Sequence, residues 1–223
     1  MAQTDSKGYR GAGMEGFIAR WYAKNALKDI GDYKKSAQLV KASTLPGASI
    51  LELACGPGLL AVEIARGGQY IVGGLDISQT FVDISQKNAQ QAGVEIEFRL
   101  GNASDMPYGD DSWDFIVCRA AFKNFSEPVT ALNEMYRVLK PGGQALILDL
   151  RADAPETTID EYVSKMDRNK IDRYMTRWIF KNMLVKRAYR EDAFREMVSK
   201  SRFGSCNIRT NQLELQVWLQ KLE

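Results

Sequence analysis

Short apolar runs alternate with longer amphipathic stretches along the chain from about residue 49 onward. The runs have the length of buried strands. The stretches between them repeat apolar residues at helical spacing and end at glycine or at a Pro-Gly-Gly turn. This alternation predicts seven strands, over residues 49–54, 70–76, 95–100, 113–118, 144–150, 205–209 and 213–219.

The fold class follows from the helices between those strands. Helical patterns at 59–66, 78–92 and 129–139 separate the first strands, which is typical of strand-helix-strand units around a parallel sheet. Only a few residues around Asn211 separate the last two strands, so these are expected to pair as an antiparallel hairpin. We therefore predict an α/β fold: a Rossmann-like, doubly wound, mostly parallel seven-stranded sheet with an antiparallel final hairpin strand.

Two segments lie outside the alternation. In residues 1–48, four glycines at positions 8, 11, 13 and 16 precede a helical run at 17–27. Residues 154–187 form an expected helical insertion in the main domain, 49–223. Ligands of open α/β sheets bind beyond the carboxyl ends of the strands, an edge that both segments can reach. Both segments are therefore predicted to cover a site.

Composition restricts the classes of protein. Hydrophobic residues at 45% and charged residues at 26%, with a net charge of +2, are typical of a globular domain. The chain has no histidine, and its three cysteines form no C-x-x-C pair, so neither a metal site nor a histidine-based hydrolase is indicated. The polar start at 1–10 and the absence of a membrane-length apolar stretch favour a cytoplasmic location.

The most informative segment is the strand, turn and helix at 50–61. A glycine turn that runs into a helix directs backbone N–H groups at an anion, and Asp76 follows about 20 residues later, where a carboxylate can bind ribose hydroxyls. Gly56, Gly58 and Ala61 also fit the loose dinucleotide pattern G-x-G-x-x-G/A. The spacing alone therefore leaves a nicotinamide cofactor and another nucleoside cofactor open.

Four ordered motifs carry a resemblance to a known family. They are Glu-Leu-Ala-Cys-Gly-Pro-Gly at 52–58, Gly-Leu-Asp-Ile-Ser at 74–78, Gly-Asn-Ala at 101–103 with Trp-Asp at 113–114, and Glu-Met-Tyr-Arg-Val-Leu-Lys-Pro-Gly-Gly at 134–143. The stretch 50–150 resembles the class I S-adenosylmethionine-dependent methyltransferases. Residues 122–143 are most similar to the ubiquinone and menaquinone C-methyltransferases.

The resemblance implies a set of cofactor-binding residues and S-adenosylmethionine as the cofactor. The first loop would receive the methionine part, the second strand end the ribose and the third strand end the adenine. The implied residues are Glu52, Ala54, Gly56, Gly58, Asp76, Ile77, Asn102, Ala103 and Arg119. The family more often has glycine at position 54 and aspartate at position 102.

Each role has a simpler alternative. The glycines can form an ordinary strand-to-helix turn, and Asp76 can cap the following helix. Glu52 can be a solvated carboxylate, Arg119 a surface ion-pair residue and Asn102 a turn former.

Methyl transfer from a sulfonium requires alignment more than base catalysis, so a histidine is not needed. An acceptor that must lose a proton needs a carboxylate, tyrosine or lysine, and Tyr9, Tyr22 and Asp153 are the candidates in the two outlying segments. The leading expectation is methyl transfer to a small molecule. A lipid or quinone acceptor, an RNA acceptor, a protein that binds the cofactor without catalysis and an NAD(P)-dependent oxidoreductase are the alternatives.

The insertion contains a basic segment at 165–190, which has nine positive residues and few acids. Tyr174 and Trp178 share an apolar helical face there, while Arg173 and Arg177 recur four residues apart. The segment can be a solvated helix that caps the substrate pocket. It can also contact an anionic surface, either a membrane or RNA.

Overall fold

The computed structural model describes residues 8–10, 13–166, 170–180 and 184–222. Their centre is one seven-stranded sheet in the order β3-β2-β1-β4-β5-β7-β6. The strands are β1 (Ser49–Leu53), β2 (Ile71–Asp76), β3 (Glu97–Leu100), β4 (Trp113–Arg119), β5 (Leu139–Leu150), β6 (Asn207–Thr210) and β7 (Glu214–Gln220).

The sheet confirms the predicted fold class. Strands β1 to β5 pair in parallel, and β6 and β7 form the predicted antiparallel hairpin. Strand β7 inserts between β5 and β6 and pairs antiparallel with β5, Leu150 opposite Glu214. The amino end of β7 therefore lies at the same edge of the sheet as the carboxyl ends of β1, β4 and β5.

Helices cover both faces of the sheet. They are α1 (Gly16–Ala26), α2 (Ile30–Ala42), α3 (Leu59–Ala65), α4 (Gln79–Ala92), α5 (Pro128–Val138), α6 (Glu156–Lys165), α7 (Lys170–Ile179), α8 (Val185–Arg187) and α9 (Glu191–Ser199). Helices α2, α3 and α4 pack on one face, and α5 and α9 pack on the other. None of the described helices has the length and apolar character to cross a membrane.

Strand β4 shows why the central strands read as continuous apolar runs. Phe115 and Val117 point into the core beneath α2 to α4, while Ile116 and Cys118 point into the core beneath α5 and α9. All four are almost completely buried, as expected of a parallel strand that is covered on both faces. Side chains past the carboxyl end of such a strand are the first that can reach a ligand.

The largest boundary difference concerns β5. The sequence predicts a strand from 144, whereas β5 begins at Leu139 and includes the Pro-Gly-Gly turn. Leu139 pairs with Trp113, and the backbone of Gly142 and Gly143 exchanges hydrogen bonds with Lys221. Pairing partners far along the chain therefore extend a strand through residues that locally favour a stop.

Candidate functional site

The loop between β1 and α3 is built from left-handed backbone conformations. Ala54, Gly56 and Gly58 have φ angles of 52°, 52° and 70°. Gly56 is buried, yet a Cβ atom added to it would meet no other atom within 4 Å. The loop therefore leaves open space beside a buried backbone, as expected where a ligand approaches the main chain.

Gly58 serves a different purpose. A Cβ atom there would lie 2.7 Å from Cβ of Ser85 and 2.9 Å from the ring of Phe98. This glycine is thus required for close packing of the loop against α4 and β3. The structure gives a packing reason for Gly58 and leaves the ligand-facing role to Gly56.

Asp76 joins the loop to the end of β2. Its Oδ2 accepts a hydrogen bond from the Gly56 N–H at 2.7 Å, and its Oδ1 accepts one from Ser78 N–H at 2.9 Å. Burial raises the pKa of Asp76 to about 6, although both hydrogen bonds lower it. The cap of α4 is the Ser78 hydroxyl, which accepts from Phe81 N–H, so Asp76 is not the capping residue.

Glu52, near the end of β1, is buried rather than solvated. Its Oε2 accepts a hydrogen bond from the Ala61 N–H in the first turn of α3, at 2.8 Å. Burial raises the pKa of Glu52 to about 8; the Ala61 hydrogen bond and Arg119 oppose this shift, and Asp76 adds to it. Among the described residues, no cation lies within ion-pair distance of Glu52. The site thus holds a buried carboxyl group suited to a cationic partner.

The end of β3 completes a small cavity. Its walls include Asp76, Ile77, Asn102 and Ala103. The Asn102 Oδ1 accepts from Ser104 N–H at 2.9 Å, so its side chain forms a turn as well as lining the cavity. Ala54, Leu75, Gly101 and Phe125 complete the walls together with Gly8.

Residues 8–10 lie across this cavity. The Ser126 N–H donates to the Gly8 carbonyl at 3.2 Å, and the Arg10 N–H donates to the Asn124 carbonyl at 2.7 Å. Gly8 is packed so tightly on Asn102 that a Cβ atom would lie 2.7 Å from the side chain. The space that remains is about 20 Å³.

A cluster of polar residues around Arg119, called the polar group below, continues from the cavity along the same edge of the sheet. The Arg119 Nε donates to the Ser36 hydroxyl at 3.1 Å, and its guanidinium lies 4.3 Å from the ring centre of Tyr33. Burial raises the pKa of Glu214, and the nearby Arg119 opposes that shift. The Tyr162 hydroxyl in α6 donates to Oδ2 of Asp32 in α2 at 3.1 Å. Arg119 is thus part of a half-buried network rather than a surface ion pair.

Sequence reasoning missed the partners of Arg119. Tyr33 lies in the N-terminal segment and Glu214 in the final strand, 181 positions apart. Neither belongs to a motif, and only the antiparallel insertion of β7 beside β5 brings Glu214 to this edge. The alternation of polar and apolar residues in β7 shows that Glu214 faces away from Leu215, but it does not show that Glu214 lies near Arg119.

The three candidate bases lie in different surroundings. Tyr9 contacts the cavity wall at Phe125, and burial raises its pKa. Tyr22 packs edge-on against Phe81 with ring centres 5.8 Å apart. Both oxygens of Asp153 accept from the Arg151 guanidinium at 2.8 Å, which lowers the pKa of Asp153 to about 2. An exposed carboxylate held in this way is a weak base, so the geometry disfavours Asp153.

Comparison with known proteins identifies a methyltransferase domain within this chain. Residues 51–147 match the model of the methyltransferase domain. The demethylmenaquinone methyltransferase of Bacillus velezensis is 37% identical over 106 residues, which are 46% of each chain. That of Symbiobacterium thermophilum is 33% identical over 135 residues, 57% of this chain and 53% of the relative. The chain thus spans about half the length of these curated relatives.

Solved structures agree in fold. A Methanococcus maripaludis protein assigned to the S-adenosylmethionine-dependent methyltransferases matches with a TM-score of 0.77 and 20% identity over 96% of both chains. A SAM-dependent methyltransferase from Aquifex aeolicus matches with a TM-score of 0.63 and 16% identity, over 86% of this chain and 98% of that one. At these identities the likeness concerns the fold.

The sheet topology and the match over residues 51–147 therefore define an α/β protein that carries a methyltransferase domain. Over most of its length the chain has the fold of solved S-adenosylmethionine-dependent methyltransferases.

Proposed function

We propose that this protein transfers the methyl group of S-adenosylmethionine to a small-molecule acceptor. The observation that carries the proposal is the convergence of buried Glu52, buried Asp76 and the open backbone of Gly56 at one edge of the sheet. A nicotinamide cofactor would not require a buried carboxyl group at Glu52. A cofactor with an amino-acid part brings an ammonium group that offsets its burial.

The donor and acceptor groups present fit that cofactor. Glu52 would hold its ammonium, Asp76 its ribose hydroxyls and the Asn102 side chain its adenine edge, with Ile77 against the adenine ring. Ala54, Gly56 and Gly58 would provide the loop, Ala103 the adenine wall, and Arg119 would flank the methionine end. The cavity of about 20 Å³ is too small for a nucleoside. Residues 8–10 would therefore shift when it binds.

When bound, S-adenosylmethionine supplies a methyl group on a positively charged sulfur. The rest of the molecule leaves as a neutral thioether, which needs no further activation. The chain's own task is to orient the acceptor and exclude water. Tyr33 lies beside Arg119 at the carboxyl end of β4, and Glu214 lies opposite Leu150 at the carboxyl end of β5. These three residues would take on that task. Glu214 would accept the acceptor's proton, because burial makes this carboxylate a stronger base than an exposed one.

The acceptor that we propose is a hydroxylated aromatic ring of the quinol type. Two similar proteins bear the name demethylmenaquinone methyltransferase. Methylation at a ring carbon releases a proton. A ring hydroxyl that ionises can bind Arg119, whose side chain donates one hydrogen bond within the described part of the chain, from Nε to Ser36. Glu214 is the residue that would take up the released proton, Arg119 the one that would bind the ionised hydroxyl, and the ring of Tyr33 lies beside Arg119.

The test is transfer of labelled methyl from S-adenosylmethionine to 1,4-naphthoquinone reduced with dithionite, alongside an extract of small metabolites. S-adenosylhomocysteine binding is measured separately by calorimetry. Asp76→Ala should weaken that binding by about tenfold to a hundredfold, from the loss of two hydrogen bonds to a charged group. Asp83→Ala, an exposed carboxylate on α4, is the matched control and should leave binding unchanged.

The outcomes separate the alternatives. Labelled methyl on the reduced naphthoquinone supports the quinol-type acceptor. Label in another metabolite instead supports methyl transfer but rejects that acceptor. Tight S-adenosylhomocysteine binding without transfer to any compound would indicate a binding protein without catalysis. Absence of binding would reject the proposal as a whole.

A further inference from the structure

Helix α1 packs against the protein with its smallest side chains. Ala19, Ala23 and Ala26 are buried, whereas Phe17 is 78% exposed and Trp21 is 53% exposed. An amphipathic helix on a globular protein ordinarily buries its large apolar residues and exposes its small or polar ones. In α1 this order is reversed.

The exposed residues of α1 form one patch. Phe17 and Trp21 are four residues apart and therefore neighbours on the helix surface, and Ile18 lies three residues before Trp21. Leu27, directly after the helix, is exposed as well. A contiguous apolar surface of this kind, rimmed by polar residues, is characteristic of an interaction site rather than of scattered surface residues.

The charges around this patch are positive. Arg20, Lys24 and Lys28 are exposed on or just after α1, and the helix itself contains no acidic residue. Glu15, which directly precedes α1, accepts hydrogen bonds from the N–H groups of Gln79 and Thr80 and from the Thr80 hydroxyl at the start of α4. Glu15 thus joins α1 to α4, and its carboxylate faces the start of α4 rather than the apolar patch.

Helix α7 repeats the pattern. Tyr174 is 70% exposed and Trp178, four residues later, is 50% exposed, with Met175 between them. Arg173 and Arg177 are exposed on the same helix, although Arg177 also pairs with Asp160 of α6 at 2.6 Å and the first turn of α7 contains Asp172. Of the other basic residues that the sequence singles out, Arg168 and Lys181 lie outside the described residues.

Both helices border the same edge of the sheet. Helix α1 reaches it through Tyr22, which lies near Tyr33 of α2. Helix α7 packs on α6. Helix α6 in turn reaches α2 through the hydrogen bond from Tyr162 to Asp32. Helix α1 thus meets the polar group around Arg119 directly, and α7 meets it through α6.

We propose that α1 and α7 seat this protein on the surface of an anionic phospholipid bilayer. Tryptophan and tyrosine side chains partition to the level of the lipid headgroups, phenylalanine inserts deeper, and lysine and arginine pair with anionic headgroups. The described helices are too short to span the bilayer, so they lie on it. Contact in this orientation places the edge of the sheet that carries the site at the lipid surface.

The charges and apolar side chains of the two helices favour an anionic membrane over a second copy of this chain and over RNA. A second copy would bring the positive residues of α1 opposite those of another α1 or α7, which is unfavourable. RNA would satisfy the charges but would leave Phe17 and Ile18 against a polar backbone. An anionic membrane satisfies both the charges and the apolar side chains.

The experiment is sedimentation with vesicles of phosphatidylcholine, with and without phosphatidylglycerol, using the full chain. We expect binding to the phosphatidylglycerol vesicles only, or far more strongly to them, with loss as salt is raised. The double variant Phe17→Ser/Trp21→Ser should bind about tenfold or more weakly, because each side chain loses its insertion into the bilayer. Leu45→Ser is the matched control, since Leu45 is equally exposed but lies in the loop between α2 and β1.

Trp21 provides a second measurement that does not depend on sedimentation. Its fluorescence should shift to shorter wavelength when phosphatidylglycerol vesicles are added to a variant in which Trp178 is phenylalanine. The reciprocal variant Trp21→Phe, which keeps Trp178, tests α7 in the same way. Both variants change exposed residues, and S-adenosylhomocysteine binding checks that the fold is intact.

Three results would overturn the proposal. One is absence of vesicle binding at low salt by the unmodified protein. Another is equal binding by the double variant and the Leu45→Ser control. The third is a dimer in sedimentation velocity, or an RNA complex, that the Phe17→Ser/Trp21→Ser variant abolishes while vesicle binding is absent. None of these depends on methyl transfer, so the docking proposal and the proposed function can fail separately.

Discussion

The ammonium nitrogen of Lys123 lies 2.7 Å from Oδ1 of Asp149, and the two side chains are only 2% and 3% exposed. Lys123 belongs to the loop after β4, and Asp149 lies near the end of β5. The Asp149 Oδ2 also accepts from the backbone N–H of Lys123. This buried pair fixes the loop that carries Phe125, a wall of the cavity.

Breaking the Lys123–Asp149 pair should be costly because one buried charge then lacks its partner. We expect Lys123→Met and Asp149→Asn each to lower the free energy of unfolding by about 3–5 kcal/mol. The double variant should lose clearly less than the sum of the two, because neither buried charge remains. Urea unfolding of all four proteins measures this coupling, and strict additivity would contradict it.

The buried carboxyl group of Glu52 should make stability depend on pH. Its pKa is about 8 in the folded protein and near 4.5 when unfolded, so the folded state binds more protons between those values. The free energy of unfolding should therefore fall as pH rises through this window, by about 1.4 kcal/mol per pH unit from this group. Glu52→Gln, which can keep the hydrogen bond from Ala61, should flatten the slope.

Cofactor binding should reverse that effect. If the ammonium of S-adenosylmethionine pairs with Glu52, binding favours the ionised carboxylate and releases a proton near pH 7. Calorimetry in buffers with different ionisation enthalpies detects this proton, which Glu52→Gln should remove. The same number of protons released by both proteins would show that Glu52 does not meet the ammonium.

The two glycines of the first loop should respond differently to alanine. Gly58→Ala should lower stability by about 1–3 kcal/mol, because its Cβ overlaps Ser85 and Phe98. Gly56→Ala introduces backbone strain of about 1 kcal/mol but meets no other atom. It should instead weaken S-adenosylhomocysteine binding by about tenfold or more, since the methyl group projects into the ligand's space. Equal affinities for Gly56→Ala and the unmodified protein would place the ligand elsewhere.

Ala54 occupies a left-handed conformation that glycine adopts more readily. We expect Ala54→Gly to raise the free energy of unfolding by about 0.5–1 kcal/mol, the strain removed exceeding the added chain entropy. Ala89→Gly, inside α4, is the control and should destabilise by about 1 kcal/mol or more. Thermal unfolding compares them, and destabilisation by both would refute the strain argument.

Residues 8–10 should move when a nucleoside binds. The cavity beneath them is far too small for adenosine, and the Arg10 N–H is bonded to the Asn124 carbonyl. We expect faster amide hydrogen exchange in the peptide containing Arg10 once S-adenosylhomocysteine is bound. Exchange in β4 should stay the same and serves as the internal control. Unchanged or slower exchange around Arg10 at saturation would show that the segment stays in place.

Much of the fold could be predicted because its signals are local. Apolar runs, helical spacing and terminal glycines specify strands and helices within a few residues of themselves, and the glycine loop with Asp76 lies at a short, regular spacing. Strands that follow one another through helices must be parallel, so their carboxyl ends meet at one edge. The sequence by itself therefore determined the fold class and the place where Glu52, Gly56 and Asp76 meet.

Other features depend on contacts between distant parts of the chain. Insertion of β7 between β5 and β6, the approach of Glu214 and Tyr33 to Arg119 and the pairing of Lys123 with Asp149 have no local signal. The reversed face of α1 also appears only after packing, because its sequence shows which residues are apolar but not which side the protein covers. Tertiary structure decided these points, since the free energy that selects them comes from burial and charge pairing across the whole fold.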